Sequence, residues 1–165
     1  MSLVERGAAL NYRFLDAIRH KRAFEAANSP AESPDFGTME GRHYALVVTF
    51  KRSGEAIPSP VLFALADGKV VFRTDAGVGK VKRMRSNPRV LVGPCNLRGK
   101  PLDPLAAGYA RFLDGAEAEA ARLALRGSYT LPMGILESGV DRMPIELAYV
   151  EITHATAVDA GVMPE

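Results

Sequence analysis

Residues 57–75, IPSPVLFALADGKVVFRTD, decide the fold of this chain. Two apolar runs flank the pair Asp67-Gly68, which is typical of the two-residue turn of a β-hairpin. In the second run, KVVFRTD, apolar side chains recur at alternate positions, as they do along a β-strand. Pro58 and Pro60 cannot donate hydrogen bonds to a neighbouring strand, so we expect their part of the first run to lie at an edge or in a bulge.

The strand pattern continues on both sides of this hairpin. HYALVVTFK, residues 43–51, alternates in the same way. Its bulkier register is expected to face the core, and consists of Tyr44, Leu46, Val48 and Phe50. Three later segments also predict strands, at residues 89–95, 105–114 and 144–158.

Two helices are predicted between the strands. VGKVKRMR, residues 78–85, is followed by a proline that disfavours helix for the residue before it, and AEAEAARLALRGSY, residues 116–129, is rich in strong helix formers. Hairpins dominate and long β-α-β crossovers are missing. Six strands in 165 residues therefore favour a mainly antiparallel small barrel or a strongly coiled sheet.

The N-terminal part of the chain has a different pattern. Residues 3–27 show apolar side chains at near-helical spacing, and NSPAESPDFG, residues 28–37, breaks this pattern with prolines, serines and a glycine. We therefore expect an amphipathic helix and a surface linker over residues 1–40. A β-rich domain over residues 41–165 completes what we expect to be a single domain overall.

The composition narrows the class of protein. The chain is 47% hydrophobic and 24% charged, and nothing in it approaches a run of 18 uncharged apolar residues, so no membrane span is expected. The N-terminus has no apolar block of the signal-peptide kind, and the single cysteine allows no internal disulfide. These features predict a cytoplasmic protein. No metal site and no side-chain catalytic machinery of the Ser-His-Asp or Cys-His kind can be assembled from the sequence.

Positive charge is concentrated in one window. Residues 76–102 contain no acid, yet they hold seven of the 21 basic side chains. Such focusing indicates an anionic partner at one place. Nucleic acid is disfavoured because the window lacks interleaved aromatic side chains and the chain has no helix-turn-helix or zinc-finger spacing.

A phosphate site is the sharper hypothesis for this window. It is not a P-loop, because Thr74 stands where that motif has its first glycine and Val81 where it has serine or threonine. Gly77 and Gly79 allow backbone amides to approach an anion, and the helix that follows offers its N-terminal dipole. Lys80 and Arg83, three residues apart, share a helix face and could grip a phosphate together. An ordinary solvated basic helix remains the alternative.

Residues 49–101 resemble the pyridoxamine 5′-phosphate oxidase-like split-barrel superfamily, and within it the deazaflavin-dependent oxidoreductases of actinobacteria. The shared features, in order, are a P-x-P-V-x-F strand, a D-G-K hairpin, R-T with a lysine six residues after the threonine, N-P-R-V, and G-P-C-x-x-R-G-K-P. A weaker likeness extends the match to residues 42–155. The sequence departs from the pattern at Val78, where many relatives have an arginine.

The resemblance implies a split β-barrel of the FMN-binding kind, six-stranded and antiparallel, with N-terminal and peripheral helices. It implies a homodimer with two cofactor sites at the subunit interface. Thr74 and Lys80 would hold the cofactor phosphate with Arg73 nearby, and Lys82 and Arg83 would bind the phosphate or the acidic tail of coenzyme F-420. On the second strand, Ser59, Pro60 and Val61 would lie along the ring.

The activity that the resemblance implies is hydride transfer between reduced coenzyme F-420 and a small organic substrate. The cofactor would carry the chemistry, and the protein would position it and exclude water. Two alternatives remain: an FMN-binding oxidase or reductase on the same fold, and a non-enzymatic module that binds flavin or haem. The N-terminal helix is not covered by the resemblance. Two roles remain for it, partial closure of the substrate pocket and packing on the dimer, and we expect the second.

Overall fold

The computed structural model describes residues 19–129 and 144–156. Three α-helices and six strands make up most of this part of the chain, with one 3-10 helix, Gly37–Met39. In chain order they are α1 (Lys21–Ala27), β1 (Tyr44–Phe50), β2 (Ala56–Ala66), β3 (Lys69–Asp75), α2 (Gly79–Ser86), β4 (Arg89–Cys95), β5 (Ala106–Leu113), α3 (Gly115–Ser128) and β6 (Leu147–His154). None of the helices in these two ranges has the length and hydropathy needed to cross a membrane.

The six strands close into one barrel in the order β1-β2-β3-β6-β5-β4, and every pair of neighbours is antiparallel. The antiparallel six-stranded barrel expected from the sequence is confirmed. The hairpin turn that joins β2 to β3 is also confirmed, because Asp67 and Gly68 have φ values of 51° and 73°, the left-handed backbone that this turn requires.

The barrel interior is filled from all six strands, and its largest fully buried side chain is Phe72. β1 contributes Ala45 and Val47 to this interior, whereas Leu46 and Val48 pack outside the barrel. The bulkier register of β1 was expected to face the core, but it lies on the outer side of the barrel wall, so this expectation is wrong. Both registers are buried, because the outer face of β1 is covered in turn.

α1 covers that outer face. Ala23 and Ala27 are buried in the same cluster as Leu46, Cys95 and Leu105. The predicted helix over residues 3–27 is wrong at residues 19–20, because α1 begins at Lys21 and its N-cap residue, His20, has an extended backbone. α1 packs on the barrel of its own chain, and residues 3–18 of the predicted helix lie outside the described residues.

The segment after α1 is more than a surface linker. Phe36 and Met39 are buried and join the barrel interior cluster. The prolines and serines before them suggested exposure, but the two large apolar side chains at its end provide the reason for burial. The boundary at residue 40 stays a prediction.

The barrel is split between β2 and β3. Residues 63–66 of β2 pair with β3, whereas residues 56–62 pair with β1 alone. On the other side of the gap, residues 73–75 of β3 pair with β6 alone. Pro58 and Pro60 lie in the one-sided part of β2, which confirms the expected edge.

Close packing at Gly108 in β5 yields a testable prediction. A Cβ atom there would lie 2.7 Å from Ile152 Cγ2 and 2.9 Å from the Thr153 carbonyl oxygen. We expect Gly108→Ala to lower the free energy of unfolding by about 1–3 kcal/mol, because the backbone of β5 or β6 must shift to make room for the methyl group. Urea denaturation would measure this loss. Gly127→Ala is the matched control: it lies in α3 with nothing within 4 Å of its Cβ position, and should be neutral or stabilise by up to about 1 kcal/mol. Equal losses in the two variants would contradict this account.

Candidate functional site

The basic segment identified in the sequence forms the loop and helix that follow β3. Asp75 Oδ1 accepts a hydrogen bond of 2.7 Å from the Gly77 amide. α2 then begins at Gly79, and its N-cap residue, Val78, makes no side-chain hydrogen bond to the first turn. The amide of Gly77 is thus used inside the loop, contrary to the expectation that it approaches an anion. The helix N-terminus, in contrast, has no side-chain cap that an anion would need to displace.

Lys80 lies in the first turn of α2 in a cationic environment. Its pKa is lowered to about 8, first by burial and then by the positive charges of Arg19 and Arg83. The residue as a whole is partly exposed. None of the ion pairs between described residues includes Lys80. The ammonium is therefore desolvated beside like charges, and an anion would relieve both effects.

The Arg83 guanidinium folds back toward the start of the same helix. Its Nε atom donates a hydrogen bond of 2.7 Å to the hydroxyl oxygen of Thr49, a fully buried residue in β1. Its Nη1 atom lies 2.9 Å from the position of a Cβ at Gly79. Glycine at this position thus leaves room for the guanidinium beside the helix N-terminus. Burial lowers the pKa of Arg83, and the charge of Glu55 partly opposes the shift.

Two buried hydroxyl residues border the split. Ser59 and Thr74 are each 7% exposed. Ser59 belongs to the register of β2 that carries Val61 into the interior, and Thr74 to the register of β3 that carries Phe72 there. Their side chains therefore start from the inner side of two strand segments that do not pair with each other.

Three other residues that the sequence analysis assigned to cofactor binding lie on other faces of their strand or helix. Arg73 occupies the outward register of β3, opposite to that of Thr74. Pro60 occupies the outward register of β2, and its Cδ atom lies 3.7 Å from the position of a Cβ at Gly99. Lys82 is exposed on α2. Arg73 and Pro60 therefore start from the outer side of the barrel wall and Lys82 from the exposed face of α2, and the roles of these three residues stay predictions.

Two residues near the cluster were missed by the sequence reasoning. Thr49 carried a weak signal, a hydroxyl residue within the apolar run YALVVTF. Arg19 carried none, because it is one of several basic residues in an amphipathic segment.

A separate groove of about 730 Å³ lies at the other end of α2. Ser86 and Asn87 form part of its lining, which combines apolar strand residues with basic side chains: Phe50, Val90, Leu91, Lys51, Arg52 and Arg89. The volume is within the range of small-molecule sites. Since neither Lys80 nor Thr74 lines it, the groove and the cationic cluster are distinct surfaces.

The lowered pKa of Lys80 predicts how anion binding depends on pH. With a pKa of about 8, Lys80 is mostly in the ammonium form at pH 7 and half in that form at pH 8, so affinity for a phosphate-bearing ligand should fall only about twofold between about pH 7 and pH 8. Above pH 8 binding must take up a proton, and we expect affinity to fall by up to about tenfold per pH unit. Arg19 and Arg83 stay charged over this range.

Ligand titrations from pH 7 to about pH 10 would measure this dependence, with Lys80→Arg as the control because arginine does not titrate there. The fall should largely disappear in that variant. The same fall in both proteins would show that another group titrates.

No protein-family model and no curated protein matches the chain. Among solved structures, it is similar to a conserved hypothetical protein of Mycobacterium tuberculosis, with a TM-score of 0.55 and 21% identity over 72% of this chain and 76% of that one. It is similar to a haem-binding protein of Mycobacterium smegmatis, with a TM-score of 0.51 and 18% identity over 82% of this chain and 55% of that one, about half its length. A third similar structure, from Clostridium acetobutylicum, is related to general stress protein 26 of the pyridoxinephosphate oxidase family (TM-score 0.50, 16% identity, 71% and 78% of the two chains). At these identities the likeness establishes the fold, a six-stranded split barrel.

Proposed function

We propose that this protein is an oxidoreductase that binds coenzyme F-420 and transfers a hydride between the reduced deazaflavin and a small organic substrate. The observation that carries the proposal is the desolvated pair Lys80 and Arg83 at the uncapped N-terminus of α2. A phosphate is the chemical group that suits such a place, because it accepts hydrogen bonds from amides and cations together.

The donor set fits a phosphorylated cofactor. In the proposed complex, Lys80 and Arg83 bind the phosphate oxygens, and the buried hydroxyl of Thr74 donates a further hydrogen bond to them. Coenzyme F-420 also carries an acidic tail, and the acid-free window of residues 76–102 would attract it.

The residues of β2 have a different role in this proposal. Ser59 and Val61, on the inner register beside the split, would lie along the ring of the cofactor and shield it from water. When bound, the reduced deazaflavin supplies the hydride, and the protein contributes orientation and a dry surrounding. We name no catalytic side chain.

We further propose a cytoplasmic homodimer in which the cofactor sites lie at the subunit interface. The proposal follows from the resemblance of residues 49–101 to the deazaflavin-dependent oxidoreductases. Sedimentation velocity over a range of protein concentrations would test the dimer, and a monomer at all concentrations would contradict it.

The second candidate is an FMN-dependent oxidase or reductase. The same cationic cluster favours it, because FMN carries a phosphate monoester where coenzyme F-420 carries a phosphodiester. A haem-binding module would need a different arrangement, in which a side chain ligates iron. Of the three described histidines, His20 accepts a hydrogen bond at Nδ1 from the Arg22 amide, His154 packs with its ring centroid 5.2 Å from that of Phe36, and His43 is exposed at the start of β1.

Fluorescence and absorbance titrations of the purified protein with coenzyme F-420, FMN and haem would separate these candidates. Saturation by F-420 at micromolar concentration, with weaker binding of FMN and haem, is the expected result. Preference for FMN would instead indicate an FMN-dependent enzyme, the second candidate. Preference for haem, or binding of none of the three, would contradict the proposed oxidoreductase.

A further inference from the structure

We propose that Thr49 is a positioning residue of the anion site. Its buried hydroxyl holds the Arg83 guanidinium so that the two terminal nitrogens, Nη1 and Nη2, form the edge that binds the phosphate. The inference rests on the proposed function, because Arg83 belongs to the proposed phosphate site.

The hydrogen bond between Arg83 and Thr49 has a fixed direction. Arg83 Nε lies 2.7 Å from Thr49 Oγ1, and a guanidinium can only donate, so the hydroxyl oxygen is the acceptor. The hydroxyl proton is then directed to the carbonyl oxygen of Ile57, 3.4 Å away on β2, the residue that pairs with Thr49 across the two strands. One oxygen atom therefore ties the guanidinium to the β1–β2 wall, and the contact uses only Nε.

Both ends of this contact are anchored in the barrel. Thr49 is fully buried and β-branched, so its side chain has little rotational freedom. Arg83 is carried by α2, whose next residue, Met84, is buried in the barrel interior cluster. The hydrogen bond thus joins two fixed elements and orders a long side chain before a ligand arrives, which lowers the entropy cost of binding.

The terminal nitrogens of Arg83 remain available to a ligand. Within the described ranges, neither of them forms a hydrogen bond or an ion pair. The buried polar atoms that lack a partner in these ranges belong to other residues, so Nη1 and Nη2 are accessible. Glu55, the acid whose charge acts on Arg83, is engaged by Lys51, with Oε2 2.6 Å from Nζ.

This arrangement favours a phosphate group over a carboxylate. The Nη1–Nη2 edge offers two donors that match two oxygen atoms of one ligand. Nη1 also lies beside Gly79, at the uncapped N-terminus of α2, so the helix amides offer further donors at the same place. A phosphate has oxygen atoms for both sets of donors, whereas a carboxylate has only the two that the guanidinium would use.

Calorimetric titration with inorganic pyrophosphate would test the inference independently of the cofactor ring. Thr49→Val removes the acceptor but keeps the shape of the side chain. We expect it to weaken binding about fivefold to tenfold, because the ligand must then order Arg83 itself. Thr49→Ser keeps the hydroxyl and should bind within about twofold of the wild type. Thr153→Val is the matched control, because Thr153 is a buried threonine of β6, and it should change the affinity less than about twofold.

A double-mutant cycle separates positioning from general damage to the barrel. Lysine has no Nε, so Thr49→Val should change the affinity less than about twofold in an Arg83→Lys background. Equal losses from Thr49→Val in the two backgrounds would overturn the inference, because Thr49 would then act without Arg83.

The free protein allows a measurement that needs no ligand. The NMR signal of the Arg83 Nε–H proton can be identified by its absence in Arg83→Lys. It should exchange slowly with water in the wild type and at least about tenfold faster in Thr49→Val. The same exchange rate in both proteins would contradict the proposed hydrogen bond.

Gly79→Ala tests the same geometry in case Thr49→Val does not fold. The added methyl group would lie 2.9 Å from Arg83 Nη1 and displace the guanidinium, at little cost in stability because the side chain can move. We expect pyrophosphate binding to weaken at least about threefold. Wild-type affinity in this variant would show that the position of the guanidinium does not matter.

Two results distinguish failure of the inference from failure of the proposed function. If Lys80→Ala weakens pyrophosphate binding but Thr49→Val behaves like Thr153→Val in affinity and in exchange rate, the inference is overturned and the proposed function stands. If Lys80→Ala and Arg83→Lys both bind pyrophosphate like the wild type, the anion site itself is overturned.

Discussion

Lys80→Ala is expected to weaken binding of the phosphorylated cofactor by about 1.5–3 kcal/mol, or about tenfold to 150-fold in Kd. The ammonium has no acidic partner among the described residues, and burial, together with repulsion from two arginines, lowers its pKa. An anion brought to this place gains a charged hydrogen bond and removes that repulsion. Fluorescence titration with coenzyme F-420 and FMN at low salt would measure the loss.

Lys82→Ala compares this loss with that of an exposed lysine, for which the sequence predicts a contact with the phosphate or the acidic tail. Lys82 is on the same helix and carries the same charge, but it is exposed, and its charge is therefore largely screened. We expect it to change the affinity less than about threefold at moderate salt. Equal losses in the two variants would indicate that the whole basic window attracts the ligand, and unchanged affinity in Lys80→Ala would remove the phosphate assignment.

Phe72→Ala should have the largest effect on stability, a loss of about 3–5 kcal/mol. Phe72 is 0% exposed, the largest of the fully buried side chains, and pairs across the barrel wall with Phe63 and Val150. Its removal leaves a cavity between three strands at the last β2–β3 pair before the split. Urea denaturation should show a lower midpoint with an unchanged slope.

Leu123→Ala is the comparison variant for Phe72→Ala. Leu123 is 56% exposed on α3, so its truncation removes little buried surface and should change stability by less than about 0.5 kcal/mol. If Phe72→Ala lost no more than Leu123→Ala, the barrel interior would be packed differently from the arrangement described here.

The positions of the strands along the chain could be predicted because their signals are local. The Asp67-Gly68 turn, the alternation of KVVFRTD and the proline-bearing edge each depend on a few neighbouring residues, and all three are confirmed. β3 and β4 lie at residues 69–75 and 89–95, as expected.

The buried side of β1 could not be predicted for a physical reason. Alternation indicates which face is apolar only when the other face meets water. In β1 both faces are covered, one by the barrel interior and the other by α1. Inside a narrow barrel that already holds Phe63 and Phe72, small side chains such as Ala45 fit better than bulky ones.

The part of the candidate site that lies on α2 could be predicted, because residues three apart in a helix share a face. Lys80 and Arg83 were expected on one face of α2, and their charges do interact. The partners of these residues come from distant parts of the chain, Thr49 from β1 and Arg19 from the N-terminal segment. Nothing in the local pattern around those two positions indicates which distant element they meet, so only the tertiary structure identifies them.

The one-sided part of β2 also has a consequence for how molecules of this protein behave toward one another. An unpaired strand edge is a template on which another chain can add a strand and begin to aggregate. The Phe63 amide bonds to the His43 carbonyl oxygen on the β1 side, so by alternation the backbone of Pro58 and Pro60 faces the open side. Neither proline has an N–H to donate there. The barrel can therefore keep a gap in its wall while offering a poor template for unwanted strand addition.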